Sequence, residues 1–527
     1  MRFFYIGAFF LLSSATFFLT GVSSQTIAEP ELVTEMRRQP KAPDLGLLST
    51  AVKDVTGQDL NVSPSSTLTK LEGTVSEENT FFGVDVAIDG DTAVIGAYNE
   101  RVGPYRSGAV YVYVWNGSSW ALQQKLFPLI SSSTEDFGLS VDISGNTIIV
   151  GAPDYSENAS TVLCGRVYIF QRNGTTWTEQ QRVIASDRQS LDWFGRDVSI
   201  SGDTAIVGSR SHPVNVTTAG AAYFLQRNGS VWTEVQKITH GGNTNDLFGY
   251  SVAIDGDTAA VGFPRYANST GGVCVYERNG SAWGLAECRL PDEPNQGCFG
   301  ESVSVSGSSL LVGAPCSQPG SIGGAGYVFV KEGNTGWQQQ AKLTAPDAAS
   351  GDGLGVGGEI DGDRVILGAW FNNSEKGAAY TFSRCLTDWG FDEKLVATDG
   401  APGDHLGRRV ALSGNKAIMG APLAVIGGID DQGAAYTTVI GSDLCDISII
   451  VNRTTDESDD DIDDDVCDID ENTLEQECTL RAAIETANAR AGRDLISFDI
   501  SGGGVKTISP GTTLPLIVDP VSINAAT

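Results

Sequence analysis

Between residues 65 and 447 the chain alternates apolar and polar positions in short runs, the period of strands with one face buried and one wet. A typical set opens with Ser251-Val252-Ala253-Ile254, turns at Asp255-Gly256-Asp257 and returns as Thr258-Ala259-Ala260-Val261-Gly262. This predicts a hairpin of two strands, A and B. After a loop of variable length a third strand, C, opens on glycine, as in Gly108-Ala109-Val110-Tyr111 and Gly377-Ala378-Ala379-Tyr380. An Asn-Gly turn follows, with tryptophan four residues after the asparagine: Asn116 to Trp120, Asn173 to Trp177, Asn228 to Trp232 and Asn279 to Trp283. From there a fourth strand, D, runs to ends resembling Gln-Lys-Leu. These asparagines are also sequons, but a type I′ turn accounts for them first.

A Phe-Gly or Leu-Gly pair precedes each set, seven times, at Phe82, Phe137, Phe194, Phe248, Phe299, Leu354 and Leu406, at separations of 51 to 57 residues. Further glycines lie 7 and 13 residues beyond each pair's own. Repeats of about this length, with four strands each, are propeller blades. The seventh set has no tryptophan and no fourth strand before Cys445, while Leu68-Thr69-Lys70-Leu71 stands ahead of the first Phe-Gly as Gln236-Lys237-Ile238 stands ahead of the fourth. The N-terminal strand therefore closes the ring and removes an open sheet edge. The expected fold class is all-β: a seven-bladed propeller of four-stranded blades over 65–447.

With Phe137-Gly138 and Gly151-Ala152-Pro153 in one unit, the repeats resemble the FG-GAP repeats of the integrin alpha-subunit propeller and its extracellular relatives. The resemblance implies a seven-bladed scaffold, and for function only the broad range that propellers host. Blades of that family carry calcium loops of the form Asp-x-Asp-x-Asp-Gly, and no variable loop matches that spacing.

The flanks differ in kind. Residues 1–24 read as a secretory leader, Met1-Arg2 followed by an apolar stretch and small residues at Val22-Ser23-Ser24. Residues 25–64 read as a linker. Beyond the leader no segment suits a membrane span. An acidic linker is expected over 448–477, and 478–527 begins with Cys478-Thr479-Leu480-Arg481-Ala482-Ala483, apolar at helical spacing. Short strands at 495–500, 506–508 and 516–518 then follow like rungs. This segment resembles the Cys-Ser-Leu-Arg-Glu-Ala domain that precedes right-handed β-helices, with Thr479 and Ala482 departing from its motif. The expectation is a helix cap and the first rungs of a β-helix, continuing beyond Thr527 because two rungs bury too little core.

Charge and cysteines narrow the partners. A net charge of −31 argues against nucleic acid and anionic membrane. The densest acidic run, 456–471, has Asp459, Asp461, Asp463 and Asp465 at alternate positions, an oxygen-rich set of the kind calcium takes; a solvated linker is the alternative reading. Nine cysteines in a chain with a leader predict a few disulfides and one leftover thiol. Spacing favours Cys298 with Cys316 and Cys467 with Cys478. Remaining sequons at Asn61, Asn158, Asn215, Asn268, Asn372 and Asn452 are candidate glycan sites.

The A–B and C–D turns are short and uniform, whereas the B–C and D–A loops, which share the opposite face, differ in every blade. Tyr98, Tyr155, Tyr266 and Trp370 follow the end of strand B, and Trp193 precedes a Phe-Gly, so aromatics suited to sugar rings or a protein partner gather there. His212, His240 and His405 fall in loops of three different blades, which argues against a shared zinc or acid-base centre. Asp136, Asp192, Asp246, Asp352 and Asp404 recur ahead of the Phe-Gly or Leu-Gly pairs and read as turn caps. No catalytic constellation is visible. The leading reading is a secreted or cell-surface binding or adhesion protein for an extracellular protein or glycan. The alternatives are a polysaccharide lyase or epimerase on the β-helix, with the propeller as binding module, or a structural coat component.

Overall fold

A computed structural model describes the chain from residue 68 to 524, apart from short stretches of which the longest are 129–134, 318–322, 441–447, 459–466, 468–476, 501–507 and 516–520. The leader and linker assigned to 1–24 and 25–64 lie outside the described residues, as do Asp459, Asp461, Asp463 and Asp465. Seven four-stranded antiparallel sheets form the blades of a propeller, six in the order A-B-C-D. In the seventh, strands Val410–Ser413, Lys416–Ala421 and Ala434–Val439 are completed by Thr69–Leu71, in register Thr69 with Thr437 and Leu71 with Ala435. Closure thus ties two segments more than 360 residues apart: the Thr437 hydroxyl also donates to the Thr69 carbonyl across a separation of 368.

Each repeated residue has a job between blades. The residue ahead of each Phe or Leu has positive φ, from Phe81 through Trp193 to His405, which swings the next amide outward. That amide donates to the preceding blade: Phe82 to Gln432, Phe137 to Ser107, Phe194 to Cys164 and Leu406 to Lys376. The ring of Phe137 then lies edge-on to Tyr168 in its own blade at 4.9 Å. The glycine that ends strand B is needed because the next blade's backbone passes over it. A Cβ on Gly96 would stand 2.0 Å from the Gly138 carbonyl oxygen, and one on Gly368 1.7 Å from that of Gly407.

The A–B turns are linked around the whole ring. The Asp or Ser before each turn glycine accepts the glycine N–H of the following blade: Asp89 from Gly145, Ser144 from Gly202, Ser201 from Gly256, Asp255 from Gly307, Ser306 from Gly362, Asp361 from Gly414, and Ser413 from Gly90. On the periphery, the glutamine of strand D and the tryptophan of the next blade exchange two bonds. Gln124 pairs with Trp177 this way, Gln181 with Trp232 and Gln236 with Trp283, all at 2.7–2.9 Å. Between these seams the sheet faces bury continuous aliphatic layers such as Val94, Val112, Val141 and Ile148.

The C–D hairpins correct one expectation. Asn173, Asn228 and Asn279 end strand C, and the loops are Gly174-Thr175, Gly229-Ser230 and Gly280-Ser281, with only the glycine at positive φ. Glycine at the first central position makes these type II′ turns, not type I′. Asn116 instead stands at the head of a four-residue loop, its side chain accepting from the amides of Ser118 and Ser119.

A second compact unit contains residues 442–527. Its helix, Leu480–Ala489, lies where the apolar spacing places it. Strands Ser448–Val451, Asp494–Phe498 and Val521–Asn524 form a parallel sheet, so the stretch read as an acidic linker begins with a strand. The strand at 516–518 lies outside the described residues, as do Lys506 and Thr507. Arg481 is buried and grips Asp456 through two bonds of 3.0 and 3.1 Å. No helix among the described residues is long and apolar enough to cross a membrane.

Candidate functional site: the loop face and the mouth of the central channel

Strand A of every blade lines a central channel with a cavity of about 360 Å³. Its wall is polar, but most of its carboxylates are spent on backbone. Asp85 accepts from the Val141 amide, Asp142 from Ile200 and Asp197 from Val252, each at 2.7 Å, so each reaches across to the following blade. Burial pushes Asp85 and Asp142 up to about 7 and Glu359 to about 8, the charge of Asp142 adding to the last. Arg409, 3.5 Å from Asp85, pulls Asp85 back down without cancelling the effect of burial.

The residue after each pair's glycine, Val84, Leu139, Arg196, Tyr250, Glu301, Val356 or Arg408, stands at or within two residues ahead of the first channel-lining residue of its blade, and so at the rim. Four of the seven are polar or aromatic. Arg196 lies 5.5 Å from the Tyr250 ring centre, Arg210 4.2 Å from Trp193 and 5.7 Å from Tyr250, and Arg408 5.3 Å from Trp370. The Tyr250 hydroxyl donates to Glu301 at 2.7 Å.

The aromatics singled out by sequence are all half-buried, and the structure divides them. Trp193 packs under Arg210, which follows strand B, and Trp370 under the rim's Arg408. Tyr98 stacks on Phe81 at 5.1 Å and lies within the field of Arg408 and Asp136. Tyr155 belongs to its own blade, with the Arg166 guanidinium 3.7 Å over its ring. Tyr266 joins Phe263 and His240, each at 5.5 Å. The arginine rim escaped the sequence reading, although aligning the seven repeats at their glycines would have shown Arg196, Tyr250, Glu301 and Arg408 interrupting an otherwise aliphatic position.

The histidines do not converge. His212 is held by Asp192 at 3.1 Å and Lys237 at 2.7 Å, and His405 by Glu375 at 3.2 Å. His240 lies near Cys274 and Cys288 within 4.8 Å, but those sulfurs are joined as a disulfide and offer no thiolate to a metal. Turn capping describes Asp192, Asp352 and Asp404, which accept amides three residues back, from Gln189, Ala349 and Ala401. Asp136 is different. It stands one position later in the motif, its true counterpart being Glu135, and it shares a hydrogen bond with Asp154; burial and that neighbour push it up to about 7.

Cys298 pairs with Cys316 and Cys467 with Cys478, and Cys164 is a buried free thiol. Among the sequons, Asn158 is exposed. Asn372 is 5% exposed, its amide nitrogen donates to Asp352 at 3.0 Å and its oxygen accepts from Lys394 at 2.9 Å. Asn452 is half-buried and accepts from the Cys478 amide. The side chain of Asn268, and Asn61 and Asn215 altogether, lie outside the described residues.

The family model described as FG-GAP repeat matches residues 67–113, 120–170, 177–225, 232–276, 337–382 and 389–438. The chain belongs to the FG-GAP repeat family. Each match starts at or near strand D of one blade and ends in strand C of the next, so the FG-GAP sequence repeat is offset from the structural blade, as closure by the N-terminal strand requires. The blade of Phe299 falls between the matches at 276 and 337, yet it is built like the rest. No curated protein matches the chain. The FG-GAP propeller is typically a non-catalytic binding fold, and the disulfides and repeats are consistent with an extracellular location.

Proposed function

We propose that this FG-GAP protein is a secreted or cell-surface binding and adhesion module that engages an extracellular protein or glycan with the loop face of its propeller. The observation that carries this reading is the asymmetry of the two faces. At the A–B turns all seven blades are locked by the same Asp/Ser-to-glycine bond, whereas the opposite rim places Trp193, Tyr250 and Trp370 beside arginines in an order no other blade repeats. A uniform scaffold with variable loops on one side is how binding surfaces are built on rigid folds. Binding of the secreted chain to an array of extracellular glycans and matrix proteins tests it, with Trp193→Ala and Trp370→Ala as variants. Retained binding by both variants would move the surface elsewhere.

The parallel sheet of Ser448–Val451, Asp494–Phe498 and Val521–Asn524 favours a second reading, in which the propeller is the binding module of a longer β-helix protein acting on polysaccharide.

A further inference from the structure

We propose that the loop-side mouth of the central channel, where Arg196, Arg210 and Arg408 gather over Trp193, Tyr250 and Trp370, binds the carboxylate of a single acidic sugar such as a terminal uronic acid. This rests on the loop-face reading above and names the ligand chemistry of that face. Arg196 and Arg408 follow the Phe-Gly or Leu-Gly glycines of blades three and seven, and Arg210 reaches in from the end of strand B, so three elements converge on Tyr250 and its neighbours.

The three guanidiniums differ from most others of the propeller. Arg172, Arg227 and Arg278 bond to the side chains of A–B turn residues, Arg166 to Glu135 and Arg182 to Glu179. Arg196, Arg210 and Arg408 make no side-chain hydrogen bond or ion pair among the described residues, and the buried Nε of Arg210 and Nε1 of Trp193 have no protein partner. In a chain with 65 acidic and 34 basic residues, three such cations side by side are against the composition.

Nearby acids act on them only through space, Asp154 and Glu301 on Arg210 and Asp136 and Asp154 on Arg196. Asp136 and Asp154 hydrogen-bond each other, Glu301 accepts from Tyr250, and Asp85 and Asp197 accept backbone amides beside Arg409. Burial and the charge of Arg196 pull Arg210 down to about 10; burial, Arg409 and Arg196 depress Arg408. An incoming anion relieves both costs.

Planar guanidinium forks match a carboxylate in bidentate geometry, and rings half-exposed beside them give a sugar an apolar face to lie on. The net charge of −31 repels an extended polyanion laid along the surface, within about a Debye length, ~8 Å at physiological salt, which favours one carboxylate on one compact ring.

The test is calorimetric titration of the full chain with methyl glucuronide, methyl glucoside and an aspartate-rich peptide. The expected result is binding of the glucuronide alone, weakened at least tenfold by Arg210→Gln and by Arg408→Gln, less by Arg210→Lys, with melting temperatures unchanged. Equal binding of glucoside, preference for the peptide, no glucuronide binding, or glucuronide binding indifferent to both Gln variants overturns the proposal. If either variant fails to fold, the other and Arg196→Gln carry the test. Array binding that survives the Gln variants but not Trp193→Ala would leave the loop-face reading standing and remove this one.

Discussion

Cys274 faces Cys288 directly across the C–D hairpin of blade four, joined as a disulfide, at the register that other blades fill with a tyrosine under a cation. There Tyr111 pairs with Lys125, Tyr168 with Arg182, Tyr223 with Lys237, Tyr327 with Lys342 and Tyr436 with Lys70. Lys394 lies over Tyr380 at 5.3 Å in blade six. In four of these blades a carboxylate completes the set: Glu100, Asp187, Asp347 or Asp399 binds both the phenol and the lysine. Blade four has exchanged a polar clasp for a covalent one. Cys274→Ser with Cys288→Ser is expected to destabilise the propeller by about 3 kcal/mol, the entropy of a loop of this length, read as a lowered denaturation midpoint. Cys274→Tyr with Cys288→Lys should recover part of it; no recovery would mean that the register alone does not make the clasp.

Glycines of one motif differ in what they tolerate. Gly368→Ala drives a Cβ into the Gly407 carbonyl, a backbone atom that cannot step aside, and is expected to cost 3 kcal/mol or more, on the order of the worst overpacking changes. Gly256→Ala meets nothing, but its φ is +55°; strain there costs about 1–2 kcal/mol. Comparing the two urea midpoints checks the order, and the reverse order would refute the close-approach account.

Closure by Thr69–Leu71 predicts an assembly phenotype. Removing residues 1–73 strips the last blade of its outer strand and leaves Ala434–Val439 as an exposed edge. The truncated chain should elute as oligomers or aggregate, where the full chain is measured by light scattering under the same conditions. A stable monomer would show that closure is dispensable.

Asp85, Asp142 and Glu359 are held above their ordinary values, to about 7, 7 and 8. The folded state therefore binds more protons than the unfolded one between about pH 4 and pH 8, and stability must fall as pH rises through that window. His240, held low by burial, opposes this only toward its lower end. The melting temperature is expected to be higher at pH 5 than at pH 8. Glu359→Gln should flatten that slope and stabilise at pH 8 by on the order of 1–3 kcal/mol. An unchanged slope would show that Glu359 does not titrate in this range.

Asn158 and Asn372 separate accessibility from sequon. In a eukaryotic secretory host, peptide mapping is expected to find glycan on the exposed Asn158 and none on Asn372, whose amide is bonded at both ends. Glycan at Asn372 would mean that its clasp with Asp352 and Lys394 does not form.

The blade count, the hairpins, the missing strand and its replacement at Leu68–Leu71 were all legible, because a strand's period of two and a repeated glycine are local and recur seven times. Local spacing also pointed to Cys298 with Cys316. What the repeat could not say is which residue meets which in the next blade. The offset that lets Gln124 clasp Trp177, and Asp89 hold Gly145, arises when equivalent residues some 55 apart are wrapped around one axis. The same wrapping brings Arg196, Arg210 and Arg408, unremarkable in their separate repeats, over one set of rings. Sequence determined the blade, since its chemistry is short-range; the tertiary structure decided the mouth, since charge and burial depend on neighbours that only ring closure supplies.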